Sequence, residues 1–411
     1  MGLNVSYMGT KKHLANFVAG AIAKLPTGPV LDAFSGMGAV GEALANDRNV
    51  WVNDCQQFAA NASKAIFTSR LPPPPSNEVK EILTISFKKN MDALKTRFAD
   101  QLNAERRYLK SGRLDHVIKG NTELPFVGSC VDLENQRKRL SKKPGTFPYR
   151  MATITYVGSY FGVQQCFEID SLVYAIDIAK NQGRISAEAK RWFLLALCQV
   201  SSRVNNSTGQ FAHYLKPKRH NIARIINQRR RSVFEEFLTT IDEMTPIGTA
   251  EWRRDNRAFK CDALSLLPKL KRQPRQPAIV YADPPYTKAE YPRYYHVLDM
   301  LFEYRYPVAI GVGRYPDGRT DPRFSRLRTV CEEMRCLIER VADMDASLVL
   351  SYPNTGLLHQ QNIAPKELLR EFYRNVRTAY SGNHDHSTFG GPNAESTIRA
   401  REYVYVASAA H

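Results

Sequence analysis

Residues 29–41 read Pro29-Val30-Leu31-Asp32-Ala33-Phe34-Ser35-Gly36-Met37-Gly38-Ala39-Val40-Gly41, and this stretch decides the fold class. An apolar run suited to a buried parallel strand ends in a glycine-bearing turn. Gly36 and Gly38 let the backbone bend sharply and come close to a ligand with no Cβ in the way. The helix predicted behind them, over 38–46, offers unpaired N–H groups at its start. Alone the turn proves little, because purely structural turns at strand ends use the same residues.

Upstream, Leu14, Phe17, Val18, Ala21, Ile22 and Leu25 recur at three- and four-residue steps and predict an amphipathic helix over 13–25. Downstream, 49–54 (NVWVND) predicts a second strand, which completes a βαβ unit. Asp54 ends that strand, where a carboxylate can accept both ribose hydroxyls of a bound nucleoside. The same position also suits a helix N-cap. Four prolines at 72–75 break the pattern, and from about 71 to 255 the chain reads as helix and loop, including a helix at 191–204. Strand patterns resume at 277–283, 347–352 and 402–408, with helical patterns at about 294–304, 326–341 and 364–378. Strands alternating with helices on both sides of one insertion predict an α/β, Rossmann-like sheet domain over 1–70 and 256–411. A mainly helical lobe at 71–255 interrupts it.

Directly after the strand at 277–283 stands Asp283-Pro284-Pro285-Tyr286. An exocyclic amino group on a base is a poor nucleophile, since its lone pair is delocalised into the ring. Methylating it requires acceptors that hold both N–H bonds and favour a tetrahedral nitrogen, which the Asp283 carboxylate and Pro284 carbonyl supply. Consecutive prolines fix φ and make the direction of that carbonyl rigid. The ring at Tyr286 can stack on a base extruded from a duplex. A proline-rich strand exit is the bland alternative, and four specified residues at a strand end weigh against it.

Taken together these residues resemble the DNA adenine methylase family, the Dam-like N6-adenine-specific DNA methyltransferases. Tyr7-Met8-Gly9-Thr10-Lys11 is similar to the family's Tyr-x-Gly-x-Lys element, and Phe34-Ser35-Gly36-Met37-Gly38 to its Phe-x-Gly-x-Gly cofactor turn. Cys261-Asp262-Ala263 resembles its aspartate-bearing segment, and Asp283 to Tyr286 its catalytic tetrapeptide. The resemblance implies S-adenosylmethionine as cofactor, held by Tyr7, Lys11, Asp32, Phe34, Ser35, Gly36, Gly38, Asp54 and Asp262. It implies catalysis at Asp283, Pro284, Pro285 and Tyr286, and double-stranded DNA as partner, read by the inserted lobe. A cognate restriction or defence partner is a further candidate, and the sequence leaves open whether a paired nuclease exists. The lobe is larger than in small Dam-type enzymes, which leaves the target sequence open.

The charge agrees with a polyanionic partner: 58 Lys+Arg against 40 Asp+Glu give a net +18. Two tracts concentrate it without any acid, 136–150 and 214–231. From these we single out Arg137 and Arg139, and Lys216, Lys218, Arg219, Arg224, Arg229, Arg230 and Arg231, as phosphate contacts, with a solvated basic face as the alternative. The first tract reads as a glycine- and proline-broken loop. Seven scattered cysteines without a CxxC pair suit reduced thiols and a cytoplasmic location. No apolar run reaches the length of a membrane span. His384-Asp385-His386 reads as part of a glycine-rich loop, and no metal is expected, since methyl transfer from a sulfonium needs none.

Among rival chemistries, a C5-cytosine enzyme needs a cysteine after proline, which the chain lacks. An N4-cytosine enzyme shares the amino chemistry but usually begins its tetrapeptide with Ser. An RNA amino-methyltransferase and a catalytically silent DNA-binding module remain as alternatives.

Overall fold

The computed structural model describes residues 11–123, 131–288, 290–317, 323–387 and 397–408. Among the described residues nine strands follow one another: β1 (Val30–Asp32), β2 (Val50–Asp54), β3 (Arg257–Lys260), β4 (Ile279–Ala282), β5 (Ala309–Ile310), β6 (Tyr315–Pro316), β7 (Ser347–Pro353), β8 (Asn375–Ser387) and β9 (Thr397–Ser408). Seven form one sheet in the order β3-β2-β1-β4-β7-β9-β8, while β5 and β6 make a separate ribbon. The pairs β1·β2, β2·β3, β1·β4 and β4·β7 are parallel, and β9 runs antiparallel to both its neighbours. This is the expected Rossmann-like α/β fold, and its strand order reverses between β1 and β4.

Two-residue alternation fixes how the sheet is clothed. Val30, Val50, Val52, Ile279, Tyr281, Val349, Val404 and Val406 point into one core. Leu31, Trp51, Val280, Ala282, Leu348, Leu350, Tyr405 and Ala407 point into the other. The helices Ala263–Lys271, Val330–Ala342 and Pro365–Arg370 cover the second face. Over the first face lie the helices Ala15–Ala23, Gln57–Thr68 and Pro292–Glu303, and the same core continues into Val163–Asn181 and Ala187–Val204 from the inserted segment. The insertion therefore shares its apolar interior with the sheet. Asp299 strengthens that side by accepting the Phe58 N–H at 2.7 Å, at the start of the helix after β2.

Several expectations are corrected. The helix after the glycine turn is short, Ala39–Ala43. The tract at 136–150 is not all loop: a helix spans Val131–Lys142, because its long straight-chain residues favour helix up to the Pro144-Gly145 break. The apolar periodicity at 364–378 yields a helix only over Pro365–Arg370, and β8 starts at Asn375, drawn into pairing with β9. His384, Asp385 and His386 lie on β8 rather than in a loop. No described helix is long and apolar enough to cross a membrane.

Candidate active site

Sheets of this kind bind ligands beyond the carboxyl ends of their strands where the order reverses, and here a cleft opens beyond β1, β2 and β4. It is lined by Lys11, Asp32, Phe34 to Met37, Asp54 to Gln56, Tyr281, Asp283, Pro285 and Tyr291, among others, and its empty space, open mouth included, is about 700 Å³.

One wall is the glycine turn. Gly36 (φ 48°) and Gly38 (φ 76°) both occupy left-handed backbone, and a Cβ on Gly38 would stand 2.4 Å from the Phe67 ring. The turn is tied to β2 from both ends. Ser35 N–H donates to the Asn53 carbonyl at 2.9 Å, and Gly36 N–H donates to Asp54 Oδ2 at 3.0 Å. The other Asp54 oxygen accepts the Gln56 N–H at 2.9 Å. Asp54 thus clamps the glycine turn and the chain at Gln56, and a carboxylate still has lone-pair directions left over for a ligand hydroxyl. Burial raises its pKa to about 6, against the lowering pull of the Gln56 and Gly36 N–H groups.

Asn53, which sequence reading passed over, is buried and holds three strand exits together. Its Nδ2 donates to the Ala33 carbonyl at 3.0 Å and to the Cys261 carbonyl at 3.1 Å. Asp262 follows on the same edge but is exposed and caps the helix Ala263–Lys271, accepting the Ser265 N–H at 2.9 Å. It lies outside the lining of the cleft. Tyr7 lies outside the described residues. Phe34 forms the cleft floor edge-on to Phe324, with ring centroids 5.4 Å apart.

The opposite wall is the tetrapeptide. Asp283 leaves β4 at the cleft, and the Tyr286 carbonyl accepts the Leu357 N–H at 3.0 Å, which pins the segment to the loop after β7. The Tyr286 ring is largely buried, edge-on to Tyr352 at the end of β7. Lys11, only 4% exposed, reaches Asp283 Oδ1 at 3.3 Å and Glu402 Oε1 at 3.2 Å. Its ammonium also lies 4.8 Å from the Tyr286 ring centroid. Burial alone would lower the Lys11 pKa, but the charges of Asp283, Tyr286 and Glu402 outweigh it and raise it. Asp32 is pushed well above the usual carboxylate range by burial and then by the Asp283 charge. Glu402 is the residue no pattern marked: it sits in a strand segment, EYVYVAS, whose other members read as core.

Each basic tract reaches the ribbon through one residue: Arg137 and Tyr214 both lie in electrostatic reach of Arg314, between β5 and β6. Tyr315 of β6 donates to the Ala212 carbonyl and receives a hydrogen bond from Arg293 at 3.2 Å, two residues from Tyr291 of the cleft. Arg137 lies close enough to Arg314 and Asp317 for their charges to act on one another. Lys216, Lys218, Arg219, Arg224, Arg230 and Arg139 are exposed. Arg229 differs: it is 2% exposed and donates to Tyr108 Oη and the Gly158 carbonyl, so its work is internal. Arg231 is held by Glu236 in a two-pronged pair and by the Arg203 carbonyl.

With this geometry in view, the comparisons with known proteins become informative. Proteins similar to this chain include two modification methylases and a type II methyltransferase. Modification methylase StsI of Streptococcus sanguinis is 24% identical over 52% of this chain and 29% of its own length. Modification methylase LlaI of Lactococcus lactis subsp. lactis is 24% identical over 74% of this chain and 39% of its own. Type II methyltransferase M.FokI of Planomicrobium okeanokoites is 24% identical over 85% of this chain and 44% of its own. The chain thus matches less than half the length of each of these curated relatives. No protein-family model matches it.

Proposed function

We propose that this chain is an S-adenosylmethionine-dependent DNA methyltransferase acting on the N6 amino group of adenine in double-stranded DNA. One observation carries the reading: Asp283 and Pro285 form one wall of a cleft whose other wall is the left-handed turn Gly36–Gly38 clamped by Asp54. The names of the relatives support the same chemistry. They also support a role beside a nuclease of matching specificity.

The residues suit the cofactor. A turn without a side chain at Gly36 leaves room for a nucleoside, Asp54 retains acceptor capacity for ribose hydroxyls, and Phe34, Met37 and Val40 offer apolar surface. When bound there, S-adenosylmethionine supplies a methyl group on a sulfonium. The chain's own part is to hold the base. Tyr286 stacks on the extruded adenine, while Asp283 and the Pro284 carbonyl accept its two amino hydrogens and direct the nitrogen lone pair toward the methyl. The nitrogen gains the methyl and loses one proton, which Asp283 accepts and passes to solvent. The segment 71–255 serves as the recognition lobe, with the exposed cations of its 136–150 and 214–231 tracts meeting phosphates.

Sequencing of native DNA from cells expressing the chain tests this, with Asp283→Ala as control. N6-methyladenine at one motif, absent from the variant, is expected. Absence of any modified base, with cofactor bound in calorimetry, overturns the reading. N4-methylcytosine instead overturns the adenine assignment and leaves the amino chemistry standing.

A further inference from the structure

We propose that Glu402 is a positioning residue of this site: from β9 it fixes the Lys11 ammonium against Asp283, and through it the direction in which Asp283 presents its oxygens to the amino group. The inference rests on the methyl-transfer reading above and adds a residue to it.

Glu402 is fully buried and Lys11 nearly so, whereas Asp283 keeps 13% of its side chain open toward the cleft. An ammonium has three N–H donors. Here carboxylates 3.2 and 3.3 Å away and a tyrosine ring face surround it, so its position is set from several sides. Glu402 has a rigid base, because β9 pairs there with Pro353 of β7 and Gly382 of β8. Asp283 follows the last residue of β4 and lines the cleft beside Asp32, with whose ionised form its own charge is in repulsion. A fixed cation behind Asp283 counters that repulsion and keeps the carboxylate an acceptor. Without Glu402 the ammonium has one carboxylate to follow rather than two to bridge.

A buried carboxylate facing a buried lysine could serve stability alone, so the test must read the site itself. The groups facing the Lys11 ammonium are Asp283, Tyr286, Tyr291 and Glu402. Removing one anion from this set makes Lys11 release its proton at lower pH. In the full-length protein, transfer of labelled methyl from S-adenosylmethionine to genomic DNA from a host lacking DNA methylases should fall about tenfold in kcat in Glu402→Gln, with KM for the cofactor within about twofold. The alkaline limb of the pH–rate profile should move to lower pH, and Glu402→Asp should return it. The 13Cε resonance of Lys11, identified by its loss in Lys11→Met, should titrate at lower pH in Glu402→Gln than in the wild type. Adding Glu402→Gln to Lys11→Met should change kcat by less than about twofold, since Glu402 acts through Lys11. Unchanged kcat and pH profile in Glu402→Gln, or losses that simply add in the double variant, overturn the proposal. An inactive wild type overturns the functional reading instead, and the Lys11 titration still decides whether Glu402 holds the ammonium.

Discussion

At the scale of single residues, the cleft depends on backbone conformations that few side chains tolerate. Gly38→Ala places a Cβ against Phe67 at a φ of 76° and should destabilise the fold by roughly 2–4 kcal/mol, read by denaturant unfolding. Shortening the ring with Phe67→Leu should recover the steric part of that loss and leave the backbone strain. Asp54 gives a pH signature. Its carboxyl, raised to about 6 by burial, is protonated below that pH and ionised above it. An ionised acceptor binds ribose hydroxyls better, so cofactor affinity should rise roughly tenfold from pH 5 to pH 7. Calorimetry across that range checks it, and Asp54→Asn should flatten the curve. A flat wild-type curve would remove Asp54 from the ribose site. Gly36, Gly38, Asp54 and Asp283 were legible because each pairs a special backbone or charge with a strand end. Asn53 and Glu402 were not, because a polar residue inside a strand pattern says nothing about which partner the fold brings to it.

At the scale of elements, the basic tracts divide into cations that face water and cations that hold the lobe together. Lys216, Lys218 and Arg219 are exposed. Replacing all three with Ala should lower the slope of log K against log salt by about 2–3 in DNA-binding titrations, with the melting temperature unchanged. Arg229→Met should do the reverse. It removes buried donors from Tyr108 and Gly158 and should cost roughly 2–4 kcal/mol of stability while the salt slope stays put. Charge density alone treats the seven cations of 214–231 as equal. Helix Ile222–Arg230 turns Arg229 inward beside Ile225 and Ile226, and only the packing of that helix separates the two kinds. The misread helix at 364–378 has a related cause: its apolar spacing suits a helix, yet pairing of Asn375 onward with β9 prevails over local periodicity.

At the scale of the whole molecule, the inserted helices and the sheet share one apolar interior. Leu172 and Leu195 belong to the same cluster as Val30 and Val52. Calorimetric unfolding should therefore show a single transition, and excision of 71–255 should yield an insoluble chain. Two separated transitions, or a soluble excised sheet domain, would show that the insertion is an independent unit.

The sequence by itself determined the sheet class, the cofactor-type turn and the tetrapeptide, because these rest on local rules. Strand alternation, left-handed glycines and rigid prolines act within a few residues of chain. Only the tertiary structure decided that Lys11 and Glu402, 391 positions apart, meet at Asp283. It alone brought Arg137 and Tyr214, one from each basic tract, within electrostatic reach of Arg314 and turned Arg229 inward. Those outcomes depend on which strand ends up beside which, and long-range pairing leaves no trace in the spacing of neighbouring residues.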